Sequence, residues 1–196
     1  MVDTQAEIIK AAITCFDKTG FEPTTFKKIA LSVGVTQPLL YRYFKNKMDL
    51  FGACCISVAV ESRTFVDNYI DQRSSAADRL LAYLNGNLEW FGKHKDKAQI
   101  LIGMYYFAFN DSNISRIANE ISKIGTARVE THLAQIEHEL GKEFKDLSRV
   151  ARIIHNFLVG EIIKLQHSNG NSRSGLTKEV TSEFIKELIQ SSLQKK

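Results

Sequence analysis

Only two prolines, Pro23 and Pro38, occur in the 196 residues, and both lie in the first quarter of the chain. Proline removes an amide donor and breaks helix interiors, so everything after Pro38 is free to be helical. The apolar residues take up that freedom. They recur three and four apart in nearly every segment, and no alternating run exceeds a few residues, so the chain reads as all-α with about nine helices.

The start and stop signals set the boundaries. Thr4 with Glu7 forms a capping-box pattern, after which Ile9, Ala12, Ile13 and Phe16 share one face until Gly20. Thr24 or Thr25 caps a second helix with Phe26, Ile29, Ala30 and Val33 on its apolar face, and Gly34 stops it. Thr36 is a good N-cap for a third, which has Pro38 in its first turn. That helix is short, because Asn46 with Asp49 proposes the next cap. A fourth helix is expected from about 47 to the 71–75 region, where Ser75 and Asp78 propose another start. Further helices follow at 76–94 (Leu80, Leu81, Leu84, Leu88 and Phe91 on one stripe), 97–109, 114–140 and 147–167, with a break at 141–146. "HSNGNSRSG", 167–175, reads as a loop. A last helix at 177–194 carries Val180, Phe184 and Leu188, with Ile185 and Ile189 beside them. We expect two domains, 1–48 and 49–196.

Several function classes find no footing. Three cysteines, with no CxxC and no histidine at ligand spacing, indicate neither a disulfide framework nor a metal site. The longest apolar run, 100–109, is too short to cross a bilayer. "MVDTQAEII" places an acid where an export signal has cations, so a reduced cytoplasm is the expected location. An enzyme built on a helical bundle would need a nucleophile paired with a base, an HExxH, a phosphate loop or a carboxylate–histidine metal motif, and none is present. The expectation is therefore a non-enzyme without cofactor or metal. A thiol redox sensor at Cys54–Cys55 is the other alternative; adjacent cysteines point about 100° apart on a helix and make a poor disulfide.

Charge is distributed unevenly. Lys27, Lys28, Arg42, Lys45 and Lys47 stand in one stretch with no Asp or Glu among them; the chain's net charge is +4, so setting these five aside leaves the remainder near −1. A positive field confined to one small element suits phosphate. In the same stretch Ala30 permits close helix approach and Gly34 permits a left-handed bend, while Ile29, Val33, Val35 and Leu40 can close a miniature core. Together these make a helix-turn-helix pattern, whose second helix is presented to the DNA major groove.

"TTFKKIALSVGVTQPLLYRYFKNKMDLF", 24–51, resembles the DNA-binding segment of the TetR family of transcriptional regulators. The resemblance is carried by Gly34-Val35, by Leu40-Tyr41 with Tyr43, by Phe44-Lys45-Asn46-Lys47 and by Asp49-Leu50; Leu39 departs from the small or polar residue often found at its place. It covers about a quarter of the chain. The family likeness implies phosphate contacts at Tyr41, Tyr43 and Lys47, and Thr25 with the second helix's N-terminus suits the same role. Lys27, Thr36, Gln37, Pro38 and Leu39 would face base edges: Gln37 can pair with adenine, Lys27 with guanine, and Pro38 or Leu39 can touch a thymine methyl. Leu40 and Phe44 suit the core, and Arg42 suits either phosphate or solvent.

The resemblance also implies a ligand-binding and dimerising domain after residue 49. Tyr83, Trp90, Phe91, Met104, Tyr105, Tyr106, Phe107 and Phe109 form an aromatic-rich pair of segments that fits either ordinary packing or the wall of a cavity for an apolar or aromatic molecule. His132, His155 and Asn156 are candidate polar anchors there, or hydrogen-bonded residues of core or surface. In the family the last two helices form a four-helix interface with a second copy; Val150, Ile154, Phe157, Leu158, Phe184, Leu188 and Ile189 would supply it, unless they face their own core. The implied function is a homodimeric repressor released from a palindromic operator when a small molecule binds.

Overall fold

The structure, a computed structural model, describes residues 4–71, 74–167 and 174–195, with backbone alone at 167, 174–181 and 195. Nine helices and one two-stranded ribbon occur among the described residues: α1 (Thr4–Thr19), α2 (Phe26–Val33), α3 (Gln37–Tyr43), α4 (Lys47–Tyr69), α5 (Ala76–Lys93), α6 (Lys95–Phe107), α7 (Ser112–Leu140), β1 (Lys142–Phe144), α8 (Leu147–His167), α9 (Ser174–Ser192) and β2 (Leu193–Lys195). The all-α reading holds. Most of the loop expected at 167–175 lies outside the described residues. The last helix ends earlier than its periodicity suggested, because Leu193–Lys195 leave it to pair antiparallel with Lys142–Phe144. No described helix is long and apolar enough to cross a membrane.

The chain forms two compact units. The first is Met1–Glu61 with Lys95–Asn119, and the second is Ser62–His94 with Glu120–Lys196.

In the first unit, Ile8, Ala12, Ile13 and Phe16 of α1 are buried with Ile29, Leu40, Phe44 and Leu50. Each of these larger side chains, Ala12 apart, contributes about 1.5–3 kcal/mol through the apolar surface it removes from water. Below the α1–α2 turn lies an aromatic cluster. Phe21 stands 5.3 Å from Phe16, 5.4 Å from Phe51 and 4.5 Å from Phe107, ring centre to ring centre. Phe51 meets Phe107 edge-on at 5.2 Å. Gly103 makes room for this: a β-carbon there would lie 3.2 Å from Cζ of Phe51.

In the second unit, α5 buries Leu80, Tyr83, Leu84, Leu88, Trp90 and Phe91, while Leu81 of the expected stripe is only half-buried. Ser75 caps α5 as its spacing with Asp78 implied, accepting the Asp78 amide at 3.2 Å. Val129, Leu133 and Ile136 of α7 and Val150, Ile154 and Leu158 of α8 are buried as well. Arg79 ties α5 to α7 through Gln135 and Glu139. On α9 the buried pair is Ile185 and Ile189, so Phe184 and Leu188 sit beside the inward face rather than on it. The side chain of Val180 lies outside the described residues.

Candidate nucleic-acid interface

α2 starts where Thr25 turns extended (φ −123°, ψ 157°) and its hydroxyl accepts the Lys28 amide at 3.3 Å. Thr24, the other candidate cap, is buried instead and bonds the Gly20 carbonyl at 2.7 Å. α2 ends at Gly34, whose φ of 76° is left-handed, and Val35 closes the turn by donating to the Ala30 carbonyl at 3.0 Å. Ile29, Ala30 and Leu40 are buried at the crossing with α3, and Val33 and Val35 are half-buried at its rim.

Thr36 occupies the N-cap of α3 in extended geometry, but its hydroxyl makes no capping bond, which corrects the sequence expectation. The reason is local. Pro38 has no amide hydrogen, and the Leu39 amide is already bonded to the Thr36 carbonyl at 3.0 Å. The hydroxyl is left exposed for another partner. Asn46 caps α4 as expected, accepting the Asp49 amide at 2.8 Å, while the Asp49 carboxylate accepts the Lys45 amide at 3.0 Å.

This frame leaves a polar face without acids. Thr25, Lys27, Thr36, Pro38, Tyr41 and Tyr43 are exposed, and Gln37 and Leu39 are half-exposed. Tyr41 rests its ring 4.9 Å from Phe26 yet keeps 56% of its surface in solvent. Leu40 and Phe44 are core.

The five cations divide into two groups. Lys28 donates to the Pro23 carbonyl at 2.9 Å. Lys47 donates to the carbonyls of Phe21 at 2.7 Å and Glu22 at 3.0 Å, and its ammonium is 4.2 Å from the Phe21 ring centre. The side chains of Lys27, Arg42 and Lys45 are exposed and make no side-chain bond in the described structure. Lys45 was not singled out from the sequence, although the acid-free charge run contained the signal.

The residues named for a ligand site fall in both units. Met104 is fully buried in the first, Tyr105 is half-buried with burial raising its hydroxyl pKa, and Phe107 belongs to the aromatic cluster. Tyr106 and Phe109, grouped with them by sequence, are 68% and 88% exposed. They sit at the end of α6 and in the turn beyond it, where no described element covers them. In the second unit Tyr83, Trp90 and Phe91 are buried, and Trp90 stacks on His94 at 4.6 Å. His132 lies 5.5 Å from the Tyr83 ring. Its pKa is lowered to about 4, first by burial, then by Arg128 and Arg79, with Asp67 opposing. His155 is buried and its pKa is lowered by that burial; its neighbour Asn156 is exposed.

Of the residues named for a dimer interface, Val150, Ile154, Leu158 and Ile189 are buried within the single chain. Phe157, Leu188 and Phe184 keep solvent-facing surface, and Phe157 and Phe184 lie 4.6 Å apart. Cys54 and Cys55 are fully buried; desolvation raises both thiols, Cys55 to about 12. Buried neutral thiols are inert, which weighs against a redox sensor at this pair.

Residues 8–54 match the sequence signature of the "Bacterial regulatory proteins, tetR family". The chain is 27% identical over 185 residues to the nucleoid occlusion factor SlmA of Alteromonas mediterranea, covering 92% of this chain and 89% of that one. It is 26% identical over 180 residues to the tetracycline repressor protein class A from transposon 1721 of Escherichia coli, covering 88% and 72%. Its fold is similar to that of a transcriptional regulator from Rhodococcus sp. Rha1, with a TM-score of 0.83 at 12% identity over 97% of this chain and 98% of the other.

Proposed function

From the chain's membership of the TetR family of bacterial regulatory proteins, DNA-binding transcriptional regulators, we propose that it is a homodimeric repressor that leaves a palindromic operator when a small apolar or aromatic molecule binds. The observation that carries this reading is the acid-free face of α2 and α3, on which Lys27 and Arg42, with Lys45 just beyond α3, keep their cationic groups uncommitted. Residues 1–48 act as the reading domain, and 49–196 hold the ligand and the second copy.

On DNA, Thr25, Tyr41, Tyr43, Lys45 and Arg42 meet phosphate, and such contacts position the protein without reading sequence. Lys27, Thr36, Gln37, Pro38 and Leu39 read base edges, each good bidentate pair discriminating by about 1–3 kcal/mol. Lys47 has two of its donors on backbone carbonyls and its ammonium 4.0 Å from the exposed Glu22 carboxylate, which phosphate would have to displace. Phe157, Phe184 and Leu188 join the two copies. A ligand that favours wider spacing of the recognition helices keeps them from successive major grooves about 34–36 Å apart. A coupling of about 1–3 kcal/mol is enough for a regulatory response. The chain works where the DNA is, in the cytoplasm.

Selection of random duplexes by purified protein at about 150 mM salt tests this reading. A palindromic consensus is expected, and no enrichment would overturn it. A second reading, a nucleoid occlusion factor, draws on the near full-length likeness to SlmA. Mapping of bound sites on the chromosome separates the two: a repressor occupies a few promoters, whereas an occlusion factor occupies many sites across the nucleoid.

A further inference from the structure

Among the described residues, the buried side-chain polar atoms without a protein hydrogen-bond partner are Asn85 Oδ1, His132 Nδ1 and both ring nitrogens of His155. All belong to the second unit. Buried polar atoms are nearly always bonded to something, so a group of orphans marks a place where a molecule other than the protein completes the bonds.

The two imidazoles share one face of α7. His155, on α8, seats the Cε1 edge of its ring against Gly125. A β-carbon there would lie 2.8 Å from its Nδ1 and 3.2 Å from its Nε2, with Cε1 nearer still, so only glycine admits the ring in this position. His132 lies seven residues beyond Gly125, which is two helical turns, or about 10 Å, along the same face. Tyr83 borders His132 from α5.

The arginines at this face are already ion-paired, with Asp67 shared between Arg63 and Arg128. Arg128 is ion-paired with Asp67 and lies 4.9 Å from the Tyr83 ring centre. Arg79 is ion-paired with Glu139 at 3.1 Å. Burial keeps both imidazoles neutral, and no charged group perturbs His155. An anion buried here would have to compete with Asp67 and Glu139 for these arginines, and a cation with the arginines for those carboxylates. A neutral imidazole offers one donor and one acceptor, the complement of a hydroxyl or an amide.

We propose that Gly125, His132 and His155, with Tyr83, form the polar wall of a binding site for a neutral, mainly apolar molecule bearing a hydroxyl or amide group that bonds one ring nitrogen of His155. This rests on the effector-binding reading above and adds the chemistry of the ligand's polar group. Gly125 acts by letting the His155 ring take its place.

Three fluorescent probes with one apolar body test it on DNA-free protein: 2-naphthol, naphthalene and 2-naphthoate. At neutral pH 2-naphthol is expected to bind roughly fivefold tighter than naphthalene, the worth of about one net hydrogen bond, and tighter still than the anionic naphthoate. His155→Leu should erase the advantage of naphthol while preserving naphthalene binding, and Gly125→Ala should reduce it by displacing the ring. Equal binding of naphthol and naphthalene would mean that trapped water already satisfies the imidazoles, and would overturn the proposal. So would tightest binding of naphthoate, or binding of none of the three. The comparison on the unaltered protein decides the matter even if the variants fail to fold. A protein that enriches a palindrome but ignores naphthol loses this site alone. One that prefers naphthol but enriches no DNA loses the repressor reading and keeps the site.

Discussion

The ammonium of Lys47 donates to the carbonyl oxygen of Phe21 at 2.7 Å and stands 4.2 Å from the centre of that residue's ring. The first residue of α4 thereby holds the turn between α1 and α2, which leads into the Thr25 cap. A cation legible in sequence as a phosphate contact is also a clamp on the element that presents α2. Lys47→Ala is expected to weaken binding to every duplex and to lower the slope of log affinity against log salt by about 1. It should also destabilise the free protein by about 1–2 kcal/mol, because two carbonyls lose their partly exposed charged donor. Salt titration of DNA binding and thermal melting check the two roles separately. An unchanged melt with a reduced slope would leave only the phosphate role.

Gln37→Ala should behave differently. Its amide is half-exposed on the first residue of α3 and carries no positive charge. Loss of a bidentate base contact should relax preference at one operator position by about 1–3 kcal/mol while leaving the salt slope as it was. Repeating the duplex selection with the variant reads this directly, and an unaltered consensus would remove Gln37 from the base-reading set.

Gly34→Ala isolates a backbone effect. No neighbour lies within 4 Å of a β-carbon placed there, so sterics with the surroundings contribute nothing. The φ of +76° remains, and a side chain in the left-handed region costs about 1–2 kcal/mol. Thermal or urea denaturation should show that loss. A larger one would point to a reset of the α2–α3 crossing angle.

Stability should fall in mild acid. The pKa of folded His132 is down at about 4 from an ordinary 6.5, and that of His155 is also lowered. Below about pH 6.5 the unfolded chain therefore binds protons that the folded chain refuses, and stability is lost as pH falls from there toward 4. His132 keeps partial contact with solvent, so its share is about 1 kcal/mol rather than the full value of the shift. Melting temperatures between pH 7.5 and 5 should decline, and His132→Asn should flatten the decline.

Thiol labelling distinguishes the cysteines. Cys15 is half-exposed near Ser32, whereas Cys54 and Cys55 are buried with raised pKa values. Iodoacetamide should modify Cys15 in the native protein and reach the other two only on denaturation. Rapid native labelling at Cys54 or Cys55 would restore the redox-sensor reading.

Much of the fold was legible because its signals are local. The Ser75–Asp78 and Asn46–Asp49 caps, the Gly34 stop and the burial of Leu40 and Phe44 each depend on residues within a few positions of one another. Of the misses, one is local and one is long-range. Thr36 is a sound cap by type, yet Pro38 removes the amide it would bond. Phe107 reads as one more aromatic of α6 until folding places it against Phe21 and Phe51. Tyr106, its neighbour, points to solvent instead. Helical period alone does not say which of two adjacent apolar positions meets a partner.

The sequence by itself determined that this chain is helical, where most helices begin and end, and that a basic helix-turn-helix lies near its start. Spacing, capping chemistry and charge are properties of short windows, and no distant residue is needed to express them. Only tertiary structure decided which cations are committed to carbonyls and which remain available, which apolar residues of α8 and α9 are consumed by the chain's own core, and that His132 Nδ1 and both ring nitrogens of His155 are buried without hydrogen-bond partners among the described residues. These depend on residues brought together from Phe21 and Lys47, or from Gly125 and His155, whose side-chain energies are set by burial and by what stands opposite them in the folded chain.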